Sequence, residues 1–336
     1  MKAIVYTEYG PPDVLQLKEV EKPTPKDDEV LVKIHAASVN PLDWHIMRAT
    51  PFLARLESGL LKPKNTILGA DIAGRVEAVG RDVTQFQPGD EVFGDMASSG
   101  LGALGALGAF AEYVCVSEDE ALVLKPAGTA FEEAAAVPVA ADTALQSLRA
   151  GQVQRGQKVL INGASGGVGT FAVQMAKSFG AEVTAVCSTR NLELVRSIGA
   201  DHAIDYTQED FTRNGQRYDV IIDNVGNRSV FDCKRALRPQ GICVIVGFSS
   251  LALLFQAMLL GAWVSRTGSK KIGRMGSAKP NKEDLAFLKE LLETGKVVPV
   301  IDRRYPLSEV PEAIRYLEEG HARGKVVVTL EHDDRA

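Results

Sequence analysis

Apolar and polar residues are arranged in two different ways along this chain. Up to about residue 125 the apolar residues come in short β-branched runs: EVLVKIHAASV at 29–39, DIAGRVEAVG at 71–80, GDEVFG at 89–94 and FAEYVCVSE at 110–118. Turn-forming breaks such as GPPD, KPTPKDD and QPGD separate them. Short strands at this spacing predict a compact, partly closed β domain. The stretch GLGALGALG at 100–108 has little side-chain bulk and predicts a flexible loop. A helical tract interrupted at Pro138, FEEAAAVPVAADTALQSLRAG (131–151), then connects to a region of different texture.

From residue 158 the apolar runs are continuous and alternate with helical periods. KVLING (158–163), EVTAVC (182–187), HAIDY (202–206), YDVIIDNVG (218–226) and GICVIVG (241–247) predict strands. VGTFAVQMAKSFG (168–180), NLELVRSIG (191–199) and SVFDCKRAL (229–237) predict helices between them. This pattern fits a mostly parallel sheet covered on both faces. AWVSR (262–266) is expected as a sixth strand, with LALLFQAMLLGAWV (251–264) as a buried helix running into it. Past residue 280, DLAFLKELLETG is an amphipathic helix with apolar positions 285, 288, 291 and 292. VVPVIDRRYPL reads as extended, SEVPEAIRYLEEG as helical and GKVVVTL (324–330) as a last strand. These segments do not continue the alternating unit and are expected to return to the first domain.

The first strand of the alternating region runs directly into INGASGGVG, with Gly163, Gly166, Gly167 and Gly169 ahead of a helix. A turn without side chains lets backbone N–H groups and a helix N-terminus approach a pyrophosphate. The spacing is not the strict G-x-G-x-x-G, and no Walker ending follows. The strand–turn–helix setting carries the prediction of dinucleotide binding. At the end of the second strand, CSTRN has no acid to accept a ribose 2′-OH. Ser188 and Arg190 there can donate to a 2′-phosphate, which predicts NADPH over NADH. Their other reading is a helix cap and a solvent-facing arginine.

Composition narrows this further. The chain has 336 residues, 45% apolar and 24% charged, with a formal charge of −5. Two domains are expected, and the charge argues against a nucleic-acid-binding surface while leaving a bound nucleotide compatible. Cys115, Cys187, Cys233 and Cys243 form no CxxC pair and stand beside no histidine at zinc spacing. They read as reduced thiols, and with no secretory signal visible in MKAIVYTEYGPPDVLQL a cytoplasmic location is expected. The 14-residue tract at 251–264 is short for a transmembrane span. Peripheral membrane contact and an oligomer interface stay open for it.

Taken together, MKAIVYTEYG, VKIHAASVNPLDW, ILGADIAGRVEAVG, FQPGDEVFG, AAAVPVAADTAL, INGASGGVG, CSTRN and the closing RGKVVV resemble the medium-chain dehydrogenase/reductase superfamily. The likeness is to its zinc-free quinone oxidoreductase-like branch, in particular to chloroplast-envelope and mitochondrial reticulon-interacting homologues. It implies an α/β chain with a GroES-like partly closed β-barrel catalytic domain at 1–125. A Rossmann doubly wound parallel-sheet domain for NADPH, with its connecting helices, is implied at 126–266, and a returning C-terminal segment at 267–336. It also implies a homodimer, joined near the sixth strand. Zinc-containing relatives carry cysteine at the place of Asn40 and a His-Glu pair near Ala70–Asp71, so no metal is expected here. Asp43, His45 and Asp71 read as a turn-stabilising acid, a buried or interfacial histidine and an acid bonded to backbone.

For the cofactor, the resemblance implies Ser165, Gly166, Gly167 and Val168 at the pyrophosphate, and Ser188, Arg190 and Asn191 at the 2′-phosphate. Tyr206 is implied along adenine, with Asn224, Val225, Gly226, Gly247, Phe248 and Lys325 completing the contacts. The implied reaction is hydride transfer from NADPH to a small-molecule quinone or to the activated C=C bond of an enone or 2-alkenal. Asn40 is the candidate to orient the substrate oxygen or nicotinamide ribose, Trp44 an apolar wall and Thr143 a hydrogen-bonding hydroxyl. Each of these three has a second reading as local structural support. An alcohol or carbonyl dehydrogenase, or an NADPH-binding sensing or interaction protein without turnover, are the alternatives.

Overall fold

The computed structural model describes residues 1–50, 55–97, 107–276 and 278–331. The loop expected at 100–108 falls mostly outside them. The chain divides into two compact units. Met1–Asp142, Lys279–Thr294 and Pro299–Ala336 make the first, and Thr143–Ala278 with Gly295–Val298 the second.

In the first unit, β1 (Lys2–Val5) and β2 (Gln16–Glu19) form an antiparallel pair. The main sheet is built from β3 (Glu29–Val39), β4 (Asp71–Val79), β5 (Glu91–Asp95), β6 (Tyr113–Ser117) and β7 (Ala121–Leu124). These pair antiparallel, with β3 holding both β4 and β6. At 11 residues β3 is long enough to pair along its length with several strands, and its β-branched Val30, Val32, Ile34 and Val39 are all buried in one core. Helix Phe131–Ala135 packs on this sheet, with the Phe131 ring stacked on His35 at 4.5 Å. The first unit therefore runs to Asp142, past the boundary expected at 125.

The second unit is a six-stranded parallel sheet. Its strands are β8 (Lys158–Asn162), β9 (Glu182–Cys187), β10 (His202–Asp205), β11 (Tyr218–Asp223), β12 (Leu237–Ile245) and β13 (Lys271–Arg274). Their spatial order is β10-β9-β8-β11-β12-β13, so the strand order reverses between β8 and β11. That reversal opens a crevice at the carboxyl ends of the two central strands. Leu160, Val186, Ile221, Cys243 and Ile272 form the core of this unit.

The expected sixth strand is a correction. AWVSR lies inside one helix, Leu251–Thr267, and the sixth strand is the short KIGR that follows. The continuous apolar run supports 17 helical residues, which Gly268 ends. The second unit consequently extends to Ala278, beyond the boundary expected at 266. The helix is also only partly buried: Ala257, Gly261 and Val264 are buried, and Leu260 packs against the core.

The chain then returns to the first unit. Helix Lys282–Glu293 buries Leu285, Leu288 and Leu291. The strands β14 (Ile301–Pro306) and β15 (Lys325–Thr329) pair parallel with each other. Strand β15 adds antiparallel to β3, placing Val326 opposite Val39. Its residues Val326 and Val328 enter the core with Ile34, Ile72 and Val76.

Candidate functional site

The crevice of the second unit is shaped by close backbone approach. Gly163, at φ +75°, opens the turn after β8, and a Cβ on Gly169 would lie 2.1 Å from its carbonyl oxygen. A side chain at Gly169 would push the helix away from the strand. Gly166 differs: the nearest atom to a Cβ there is 3.6 Å away, an ordinary contact, so nothing in the fold itself crowds that position. Gly166 is also the N-cap of helix Gly167–Ser178 and supplies no side-chain cap. The first N–H groups of that helix lack an intrahelical acceptor, which leaves them suited to an anion.

Three residues expected at the phosphates converge beside this turn. Asn191 is buried, and its Nδ2 donates to Ser165 Oγ at 2.9 Å and to Ser188 Oγ at 3.3 Å. Its Oδ1 is buried with no hydrogen-bond partner. Gly167 and Val168 open the helix, Arg190 is exposed and Tyr206 is 50% exposed after β10.

At the opposite wall, the register of β8 and β11 sets Asn162 beside Asp223. Asn162 Nδ2 donates to Asp223 Oδ1 at 2.8 Å, and the same oxygen accepts from Gly226 N at 2.9 Å and Val225 N at 3.2 Å. Burial raises the Asp223 carboxyl above the usual range, opposed by these hydrogen bonds. Asp223 Oδ2 has no partner, and neither Nδ2 nor Oδ1 of the buried Asn224 amide has one. Leaving such groups buried and unbonded costs about 1–3 kcal/mol each. Gly226, at φ +63°, lies against Gly247, whose carbonyl oxygen is 2.1 Å from where its Cβ would be. Phe248 follows, with the Arg274 guanidinium 5.7 Å from its ring centre. Orphaned donors and acceptors facing an open glycine turn fit a ligand rich in hydroxyl, amide and phosphate groups, as a nicotinamide dinucleotide is.

Lys325, expected beside the cofactor, lies in a buried cluster of the first unit. Its Nζ donates to Asn40 Oδ1 at 2.7 Å and to Asp71 Oδ2 at 3.1 Å. Asn40 Nδ2 donates to Asp71 Oδ2 at 2.8 Å, and Ser38 Oγ donates to the same oxygen. Asp71 Oδ1 accepts from Val139 N at 2.8 Å. The amide of Asn40 is thus engaged at both ends. Asp43 holds the N-terminus of helix Pro41–Arg48, accepting from Asn40 N at 2.7 Å and from Gly69 N at 3.1 Å. Burial pushes its carboxyl up to about 7, with the neighbouring Asp71 adding to the rise. Burial and Asp71 likewise raise Asp95.

Trp44 is half-buried and stacks on His45, and burial lowers the His45 imidazole below its usual value. Thr143 is half-buried in helix Pro138–Ala150, as the first residue of the second unit. The sequence reading missed Asn162 and Asp223; a polar residue closing an otherwise apolar strand is the signal they carry. It also missed the joining of Asp71 to Lys325. Among the described residues no group of three or more His, Cys, Asp or Glu side chains is placed to hold a metal ion.

Known proteins share this architecture. Residues 26–127 match the family described as alcohol dehydrogenase GroES-like domain, and 198–328 the family described as zinc-binding dehydrogenase. The chain is 40% identical over 333 residues to 2-methylene-furan-3-one reductase of Solanum lycopersicum, covering 98% of this chain and 79% of the relative. It is 36% identical over 346 residues to NADPH-dependent alkenal/one oxidoreductase, chloroplastic, of Arabidopsis thaliana, covering 98% and 79%. The solved quinone oxidoreductase from Coxiella burnetii is 33% identical, with a TM-score of 0.85 over 98% of this chain and 99% of that one.

These likenesses correct the expected cytoplasmic location. Relatives from zebrafish, mouse, spinach and Arabidopsis carry mitochondrial or chloroplast names. Reduced cysteines and the lack of a visible secretory signal do not distinguish the cytoplasm from other reducing compartments. The chain belongs to the medium-chain dehydrogenase/reductase superfamily, as an NAD(P)H-dependent oxidoreductase of its zinc-free quinone- and enone-oxidoreductase-like branch.

Proposed function

We propose that the protein is an NADPH-dependent reductase of quinones or of the activated C=C bond of enones and 2-alkenals. The observation that carries this reading is the set of unsatisfied polar groups around the glycine turn: Asn191 Oδ1, Asp223 Oδ2 and both ends of the Asn224 amide. When bound, the nicotinamide cofactor supplies the hydride. The protein's own groups bind and orient it. Gly166, Gly167 and Val168 offer backbone N–H groups and space to the pyrophosphate, with Ser165 alongside. Ser188 and Arg190 favour the 2′-phosphate, Tyr206 receives adenine, and Asn224, Val225, Gly226, Gly247 and Phe248 line the far side. Names among the relatives support the acceptor class: a furanone reductase, an alkenal/one oxidoreductase and a quinone oxidoreductase.

In this reading Asn40 is a positioning residue. Its amide holds the Lys325 ammonium against Asp71, and Asn40→Ala lowers turnover while the cofactor still binds. Asn40→Asp, which keeps an acceptor for Lys325, recovers more of it. Trp44 is assigned as an apolar surface for the acceptor and Thr143 as a hydroxyl donor. A homodimer is part of the same reading, checked by light scattering of the full chain.

The test is reduction of a panel of quinones, 2-alkenals and long-chain enones with NADPH and with NADH. Turnover with NADPH, and a preference eroded at least tenfold in Arg190→Glu, supports the assignment. Tight NADPH binding with no acceptor reduced would replace it with a binding protein. Equal Michaelis constants for both cofactors in wild type and Arg190→Glu would remove the role of Arg190.

A further inference from the structure

The turn after β9 carries no acid in sequence, from Cys187 to Leu192, where an NAD-selecting site has one. In space an acid stands beside it. Strand β10 pairs parallel with β9 and sets Asp205 level with Cys187. The Asp205 carboxylate reaches across to the turn, where Thr189 Oγ1 donates to its Oδ2 at 2.5 Å. Thr207 Oγ1 donates to the other oxygen, Oδ1, at 2.7 Å, and Thr207 N does so at 3.0 Å. The bond from Thr189, with those from Thr207, holds the carboxyl below its usual range, so Asp205 is ionised at neutral pH. Its charge is felt at the end of β9, where burial and Asp205 together push the Cys187 thiol up to about 11.

An ionised acid at this place acts with opposite sign on the two nicotinamide cofactors. A carboxylate oxygen that is free accepts the ribose 2′-OH and favours NADH. The same charge repels a 2′-phosphate bound nearby. Here both oxygens are engaged by the protein's own hydroxyls, and the one on the side of the turn is engaged by the turn's own Thr189. A threonine has a single hydroxyl proton, and that of Thr189 goes to Asp205. Ser188 and Arg190 are thereby left as the side-chain donors of the turn. The arrangement is more than a brace between two loops. A brace treats NADPH and NADH alike, because they share the adenosine and differ only in the 2′ group.

We propose that Asp205 is the specificity-determining acid of the cofactor site, and that Thr189 and Thr207 mask it. Masked, it leaves the turn to a 2′-phosphate. Unmasked, it accepts the 2′-OH of NADH and opposes the extra phosphate of NADPH. The inference rests on the NADPH reading given above and adds to it the residues that set the preference from the neighbouring strand.

The experiment is calorimetric titration of the full chain with NADPH and with NADH, in the wild type and in variants whose melting temperatures are unchanged. Thr189→Val, close in size but without the hydroxyl, should weaken NADPH by about threefold and tighten NADH by a similar factor. Thr189→Ser, which keeps the hydroxyl, should retain the wild-type ratio. Asp205→Asn removes the charge and keeps an acceptor oxygen for a threonine. It should tighten NADPH by about threefold and leave NADH unchanged. A wild type that prefers NADPH, with the same ratio in Thr189→Val and Asp205→Asn, overturns this inference and leaves the NADPH reading standing. Equal weakening of both cofactors in these two variants also overturns it, and makes Asp205 a brace. A wild type without preference for NADPH removes that reading and the inference with it.

Discussion

Two polar regions of this molecule are built on opposite principles. In the first unit, Asn40, Asp71 and Lys325 are almost fully buried and bonded to one another. In the second, Asn191, Asp223 and Asn224 are also held in place, yet each retains a buried atom with nothing to bond. A satisfied network fixes a structure. An unsatisfied one costs stability without a return unless something else completes it. The contrast separates a scaffold from a binding site without reference to any ligand.

The contrast can be broken at its stable side. Lys325→Met leaves Asp71 buried beside Asp43 and Asp95 without its cation, and should cost about 3–5 kcal/mol in chemical denaturation. A loss below about 1 kcal/mol would show that the cluster is not held by that pair.

The next effect depends on pH. The folded-state value of Asp43 is raised to about 7, so the folded protein holds a proton that the unfolded chain releases near 4. Its contribution is fully present below about pH 4 and is lost as the pH rises to about 7. Wild-type stability measured against Asp43→Asn should therefore fall across that window. A difference that stays constant or grows would contradict the assignment.

How far these regions could be read from the chain itself differs for the same physical reason. The glycine turn, its strand and its helix are contiguous, and local sequence announces them. Ser188 and Asn191 sit one strand further on, within reach of the same pattern. Lys325 and Asn40 are 285 residues apart, and only the return of β15 to β3 joins them. No local signal marks that meeting. The sixth strand was hidden differently: KIGR has little apolar content, while the preceding tract has enough to read as buried. Its helix instead turns those residues outward, a tertiary outcome that periodicity does not report.

Smaller effects test the glycines against each other. Gly169→Ala meets backbone 2.1 Å away and should cost about 1–3 kcal/mol. Gly166→Ala has only ordinary contact at 3.6 Å and should leave the melting temperature nearly unchanged while weakening cofactor binding. Equal destabilisation by both would show that the Gly166 position is structural.

Asn224→Leu gives the smallest stability change and the sharpest diagnosis. Removing an unbonded buried amide should raise the stability of the cofactor-free protein by about 1 kcal/mol. The same change should lower cofactor affinity. A destabilised variant with normal affinity would place Asn224 with the scaffold.

The central claim is that the second unit's crevice is completed by NADPH. Calorimetric titration of the full chain with NADPH and NADH tests it most directly. Saturable binding of one NADPH per chain is expected, at least about tenfold tighter than NADH and weakened in Asn224→Leu. No saturable binding, or equal affinity for the two cofactors, would contradict it.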